Sequence, residues 1–229
     1  MAKKKRVTRK QLLKEPDEFL TLSARALRYS MDHKDRIGWG LGLLVAVGVI
    51  IAGANYFLAT AENKAFELLD QSMSRYAAAV EADGPIEAVS RVEEGFQQLV
   101  DGYGKRNGGK IGRLIYADIC FKGGQLDRSI ELSQQALKDF GNSQPYKNLI
   151  LSSLGTAYEE KEDYEAAVGY FERITSEPEG LMRNDALFSL GRIYAAMDRK
   201  GESTATYKKL IADYPGYMNI EIARDMLIE

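Results

Sequence analysis

An uncharged apolar stretch from Ile37 to Leu58 is the strongest constraint on what this chain can fold into. It runs for 22 residues without a charged side chain. A helix of about 20 apolar residues crosses the roughly 30 Å hydrocarbon core of a bilayer and satisfies its own backbone hydrogen bonds there. Trp39 near one end and Tyr56 near the other suit the headgroup boundary. The stretch therefore predicts a transmembrane helix over residues 37–58 rather than the core helix of a soluble protein, which usually has a polar face.

The charge of the chain changes sign across this stretch. Residues 1–36 carry a net charge of +6 and the remainder carries −8. Because basic flanks stay in the cytoplasm, we expect the N-terminus there and residues 59–229 on the far side. In a bacterium this is a single-pass inner-membrane protein with a periplasmic domain. A signal peptide cleaved after Ala61 is the main alternative, but the apolar run and its leader are long for one, which favours an uncleaved anchor.

The leader before the span divides into two segments. Residues 1–14 are strongly basic and are predicted to be disordered. Contact with anionic headgroups is a simpler explanation of their charge than binding of nucleic acid. Residues 15–36 are predicted to form a cytoplasmic amphipathic helix, which either lies on the inner leaflet or docks a cytoplasmic partner. Its apolar face carries Leu20, Ala24, Leu27 and Met31. Inside the span, Gly38 and Gly42 form a G-x-x-x-G motif, which permits a homo-oligomer through the membrane helix without requiring one.

Beyond the span the chain repeats itself with a period typical of tetratricopeptide units. Gly155 and Gly191 are 36 residues apart, and each follows a leucine within a similar pattern, against 34 residues for a standard unit. The predicted units are 148–181, 184–217, a looser one at 110–143, a degenerate helical pair at 62–104 and a cap at 218–229. The expected fold is therefore all-α, with one transmembrane helix followed by a tetratricopeptide-like α-solenoid of three to four helical hairpins.

The repeated residues have packing roles. A small residue at Gly155 or Gly191 lets the two helices of a hairpin cross closely, while aromatic side chains fill the space between units. Pro178 and Pro215 are expected to end the second helices, because proline cannot continue a helix. These positions are predicted to form core and not a cofactor site.

The first helix of each unit is expected to line a concave surface that contacts protein partners. This surface mixes apolar and acidic groups, which suits an extended or helical peptide better than phosphate or DNA. The predicted contact residues are Ile111, Leu114, Asp118, Phe121, Lys122, Ser152, Thr156, Glu159, Glu160, Asp185, Phe188 and Arg192.

Catalytic signals are absent from the sequence. His33, the only histidine, lies in the leader, and Cys120, the only cysteine, is predicted to be a small core residue. The repeats therefore lack the residues for histidine-based nucleophile activation or an ordinary zinc site. We expect a non-enzyme without cofactor or metal; a membrane-anchored enzyme of another type is the weakest alternative.

The layout of short cytoplasmic leader, membrane helix and tetratricopeptide array resembles the YfgM-type ancillary subunit of the bacterial Sec translocon. The resemblance implies association with translocon subunits, periplasmic chaperones or client polypeptides, in a chaperone-like role for secreted or envelope proteins. The unit end LIADYPG also resembles that of the outer-membrane-assembly component BamD and the Tol-Pal coordinator YbgF. An envelope-biogenesis or cell-division scaffold of that kind is the alternative function.

Overall fold

The computed structural model describes residues 18–177 and 180–227, and every regular element in those ranges is an α-helix. The chain divides into two compact units, one ending at Leu58 and the other beginning at Ala59. The predicted disordered tail, the first three residues of the predicted amphipathic helix and Pro178 lie outside the described residues.

The first unit contains helix α1 (Glu18–Asp32) and the beginning of helix α2 (Lys34–Asp83). His33 separates them and stacks its ring on Tyr29, with 4.4 Å between the ring centroids. Leu27 and Met31, one turn apart on α1, are exposed to solvent by 64% and 67%. Helix α1 thus presents an apolar face that the described residues do not cover.

The apolar stretch Ile37–Leu58 forms part of α2, and all of its residues are exposed. Among the described residues, α2 is the one helix that is long and apolar enough to cross a membrane. A signal sequence near an N-terminus can meet the same criteria of length and composition. A core helix of a soluble protein would instead bury most of its apolar side chains.

Helix α2 does not stop where the sequence analysis ends the span. It continues for 50 residues in all, through residues 59–61, and includes the first half of the predicted degenerate pair. The sequence between 58 and 62 has no Pro or Gly, so nothing local breaks the helix there. The first break is at Gly84, whose φ of 87° few other residues adopt, followed by Pro85 in the first turn of α3.

The second unit contains the end of α2 and eight further helices within the described residues. They are α3 (Pro85–Tyr103), α4 (Asn107–Lys122), α5 (Leu126–Phe140), α6 (Gln144–Glu160), α7 (Tyr164–Thr175), α8 (Arg183–Ala196), α9 (Lys200–Asp213) and α10 (Ile220–Asp225). Consecutive helices from α3 to α10 pack against one another. Such nearest-neighbour packing is the defining property of a helical repeat array.

Three hairpins, α4–α5, α6–α7 and α8–α9, share one turn geometry. The middle residue of each turn is left-handed, with φ of 76° at Gly124, 61° at Glu162 and 58° at Asp198. In the second hairpin, the N–H of Asp163 then donates to the carbonyl of Tyr158 at 2.9 Å, and the other two turns contain the equivalent bond. A left-handed residue after the last helical turn satisfies otherwise unpaired carbonyls. The shared turn fixes the register in which the three hairpins can be compared.

In two of these hairpins, a glycine on the first helix faces an aromatic ring on the second. A Cβ atom on Gly155 would lie 2.6 Å from the Phe171 ring, and one on Gly191 would lie 2.7 Å from the Tyr207 ring. Both rings are 1% exposed. The close-crossing role predicted for the two glycines is thereby confirmed.

The end of α2 belongs to the core of the second unit. Ala65 and Leu69 pack in one cluster with Phe96 and Tyr116, whose rings stack at 5.0 Å. The Glu62 carboxylate also accepts hydrogen bonds from the first two backbone N–H groups of α4, at 3.2 and 2.9 Å. Because those N–H groups have no partner inside α4, Glu62 acts as its N-terminal cap.

Candidate functional site

A groove of about 460 Å³ opens between α4 and α6, with α5 at its base and Met73 of α2 at its edge. It is lined by apolar side chains and by small side chains that carry hydroxyl groups. The apolar side chains are Met73, Leu114, Ile115, Ala117, Phe121, Leu149 and Ile150; the hydroxyl groups belong to Ser129, Ser133, Ser152, Ser153 and Thr156. Pockets of this size that combine apolar walls with a few polar groups are typical ligand sites.

Asp118 is the one charged residue that lines the groove. Its carboxylate accepts a hydrogen bond from Lys122 Nζ at 2.6 Å, one turn further along α4. This hydrogen bond raises the pKa of Lys122. Both side chains are more than half exposed, so their attraction is weak and screened by water. The groove is therefore close to neutral and mainly apolar.

Five of the twelve predicted contact residues come together around this groove: Leu114, Asp118, Phe121, Ser152 and Thr156. They lie on α4 and α6, the first helices of two consecutive hairpins, as the repeat pattern predicts for a concave surface. Whether they contact a partner remains a prediction.

Four of the other predicted residues lie on α4 and α6 but outside the groove. Ile111 is half-buried against the cluster around Phe96, and Lys122 makes its ion pair with Asp118. Glu159 pairs with Arg192 at 3.0 Å, while Glu160 is exposed. Burial raises the pKa of Glu159, and the nearby Arg192 opposes that shift. The Glu159–Arg192 pair links two hairpins and does not form part of an apolar contact surface.

Two of the three residues predicted on α8, Asp185 and Phe188, contact the segment that follows α9. The ring of Phe188 lies 5.9 Å from the Tyr217 ring and 6.1 Å from the Tyr207 ring, measured between centroids. Asp185 accepts a hydrogen bond from the Tyr217 hydroxyl at 2.8 Å. Phe188 is therefore a half-buried packing residue of the last hairpin, because the C-terminal segment folds over it. Repeat spacing alone does not predict that cover.

The base of the groove was missed by the sequence analysis. Ser133 lies eight residues after the N-cap Gln125, and the same offset from the N-caps of α7 and α9 leads to Phe171 and Tyr207. On the facing helix, Ala117 corresponds by the same register to Gly155 and Gly191. The α4–α5 hairpin thus has an Ala–Ser pair where the other two have a Gly–aromatic pair. Both Ala117 and Ser133 line the groove, so the missing ring leaves part of its volume open.

Cys120 lies beside this region but does not line it. It is fully buried, as predicted, and burial raises the pKa of its thiol to about 11. A thiol in that state is a poor nucleophile at neutral pH. Within the described ranges there is no group of three His, Cys, Asp or Glu side chains that could hold a metal ion.

Two segments of the chain match models of the tetratricopeptide repeat, residues 150–181 and residues 185–217. The first segment spans α6 and α7, and the second spans α8 and α9. No curated protein shows significant similarity to the chain. Tetratricopeptide arrays are typically non-catalytic scaffolds that bind proteins along an extended concave surface.

Several solved structures share the fold at low sequence identity. A tetratricopeptide repeat protein from Parabacteroides merdae is 14% identical, with a TM-score of 0.55 over 70% of this chain and 59% of that protein. A Podosopora anserina protein described as a kinesin light chain with TPR-like repeats is 17% identical, with a TM-score of 0.53 over 69% of this chain and 84% of that one. The MamA protein is 16% identical, with a TM-score of 0.52 over 70% of this chain and 82% of its own. At such identities the likeness shows a tetratricopeptide-like fold and nothing more.

Proposed function

We propose that this protein is a membrane-anchored, non-enzymatic scaffold that binds polypeptides in the groove between α4 and α6. Its place is the periplasmic face of a bacterial inner membrane, beside the Sec translocon. There it serves as a chaperone-like factor for secreted or envelope proteins. The observation that carries the proposal is the groove itself, an apolar, nearly neutral concavity on the helices that line the inner surface of a tetratricopeptide array.

The membrane part of the proposal is supported by the exposed apolar half of α2. Trp39 is 83% exposed and Ile50 is 69% exposed, within a stretch that has no charged residue. Each buried methylene group gains about 0.8 kcal/mol on leaving water, so such a stretch is far more stable in hydrocarbon. The net charge of +6 in residues 1–36 favours a cytoplasmic N-terminus.

The binding part is supported by what the groove contains and by what tethering would add to it. Leu149 is 46% exposed at its edge, and five hydroxyl-bearing residues lie within it. Apolar walls contact side chains of many sequences, and hydroxyl groups both donate to and accept from a peptide backbone. An anchor raises the effective concentration of such a groove beside any partner in the same membrane.

The experiment that tests this function places photo-crosslinking amino acids in the groove of the full-length chain in living cells. Probes at Phe121, Leu149 and Ser153 should capture translocon subunits, chaperones or nascent secretory chains. Matched probes at the exposed Lys138 and Lys208, on the second helices of two hairpins, should capture far less. Equal capture from both sets would contradict binding in the groove. Cleavage after Ala61 together with localisation at the division septum would favour the alternative envelope or cell-division scaffold.

A further inference from the structure

Part of the groove is the space of an aromatic side chain that this hairpin does not supply. In the other two hairpins, Phe171 and Tyr207 fill the space beside a glycine and are 1% exposed. In the α4–α5 hairpin the equivalent position is Ser133, and the groove passes over it. The chain therefore leaves open a site that its own repeat pattern fills twice with an aromatic ring.

We propose that this site receives one large apolar side chain, aromatic or long aliphatic, from a partner polypeptide. The proposal rests on the proposed function, since it names the chemistry of the ligand in the same groove. The inserted side chain takes the place that Phe171 and Tyr207 have in their hairpins and acts as the anchor of the bound segment. The rest of that segment lies along α4 and α6.

The lining explains why the ligand is a polypeptide and not a lipid chain. Within residues 18–177 and 180–227, the hydroxyl groups of Ser129 and Ser133 make no side-chain hydrogen bond. Ser203 of the last hairpin, which corresponds to Ser129, donates to the carbonyl of Gly191 at 2.8 Å. A peptide brings backbone N–H and C=O groups beside its anchor that can pair with the free hydroxyl groups. An acyl chain would bury them unpaired, at a cost in free energy.

The lining selects its ligand by apolar contact and not by charge. Asp118 is the one charged residue that lines the groove, and its carboxylate is paired with Lys122 at 2.6 Å. The groove is therefore close to neutral, and the anchor gains from the burial of its apolar surface.

The test fills the site from within and asks whether the preference for an apolar anchor disappears. The double variant Ala117→Gly with Ser133→Phe recreates the Gly–aromatic pair of the neighbouring hairpins. Ala117→Gly alone is the matched control, because it leaves the site open. Each full-length protein is placed in nanodiscs and titrated with fluorescent nine-residue peptides, capped at both ends, that differ only in a central Phe, Leu, Ala or Glu.

For the wild type and the control, we expect the Phe and Leu peptides to bind roughly ten- to a hundredfold more tightly than the Ala and Glu peptides, as expected for burial of one large apolar side chain. In the double variant, this preference should fall to within about twofold, while its melting temperature stays at or above that of the wild type. A preserved preference in the double variant would overturn the proposal, as would equal binding of all four peptides to the wild type. If the double variant melts lower, Ser133→Leu provides a second, smaller filling.

The in-cell crosslinks separate this inference from the function on which it rests. If the Leu149 probe captures partners equally in the wild type and the double variant, the groove binds polypeptide but the anchor site is wrong. If the Leu149 probe captures only a second copy of this chain, the site belongs to a homo-oligomer and the proposed ligand is wrong. If the groove probes capture no protein in the wild type, the proposed function itself fails.

Discussion

Gly155 and Phe171 are in close contact across the α6–α7 hairpin, and a Cβ atom on residue 155 would lie only 2.6 Å from Cε2 of the Phe171 ring. The glycine therefore has a steric role. Its absent side chain lets the two helices approach until the ring is 1% exposed. Gly191 and Tyr207 make the same contact, so the glycine–aromatic pair is a repeated feature of the array.

Adding a methyl group at Gly155 should destabilise the protein. We expect Gly155→Ala to lower the free energy of unfolding by about 1–3 kcal/mol, because the new Cβ atom overpacks the contact with the ring. Chemical denaturation followed by circular dichroism measures this difference. The matched control is Gly169→Ala on α7, where a Cβ atom would meet nothing within 4 Å. That change should stabilise the helix by up to about 1 kcal/mol, and equal effects of the two substitutions would show that the contact is not tight.

Tyr194 should make stability depend on pH in the alkaline range. Its hydroxyl group donates to Glu172 at 2.8 Å and its ring is 6% exposed. Burial, followed by the hydrogen bond to Glu172, raises the pKa of Tyr194 to about 12, from 10.0. The folded state thus favours the neutral phenol, so this contribution is fully present below pH 10 and is lost as the pH rises from 10 towards 12.

Replacing this hydroxyl group isolates its contribution. We expect Tyr194→Phe to cost about 1 kcal/mol at neutral pH, where one hydrogen bond is removed. The difference from the wild type should shrink as the pH increases from 10 to 12, measured by urea denaturation at each pH. Tyr146→Phe, at a ring that is 45% exposed, provides the control and should show no such convergence. A difference that stays constant across this range would refute the assignment to Tyr194.

The orientation proposed for the apolar helix in the membrane gives a third prediction. If residues 37–58 span the inner membrane with the N-terminus inside, protease added to spheroplasts should degrade the repeats and spare an N-terminal epitope tag. The tagged fragment that survives should stay with the membrane after alkaline carbonate extraction. Protection of the repeats in intact spheroplasts would reverse the proposed topology. A tagged fragment lost from the membrane, with a mature chain that begins after Ala61, would indicate a cleaved signal sequence instead.

The helical hairpins were predictable because their signals are local. Gly155, Phe171, Gly191 and Tyr207 recur at a fixed spacing, and small and aromatic residues have strong steric requirements in a close helix crossing. The course of α2 was not predicted, because the sequence analysis divided it by function at residues 58–62 while the backbone needs no break there. A change from an apolar to an amphipathic pattern marks a change of environment and does not end a helix.

The candidate site was predictable only in part. Leu114 and Phe121 follow from the rule that first helices line the concave surface, but the base of the groove comes from the second helix, at Ser133. A segment distant from Phe188 in the repeat pattern packs against its ring, and its contact with a partner stays a prediction. The base of the groove and this packing both depend on what lies opposite a residue, which is set by tertiary structure and not by spacing along one helix.

The serine at position 133 also affects how stability is distributed along the array. In repeat proteins, stability is nearly a sum of unit terms and nearest-neighbour interface terms. Phe171 and Tyr207 each contribute a buried ring to the stability of their hairpin, whereas Ser133 contributes almost no apolar area to its own. The α4–α5 hairpin therefore lacks a stabilising ring that the other two hairpins have. A ligand that inserts a ring there would join the two halves of the array into one cooperative unit, so occupancy would change the mechanics of the whole domain.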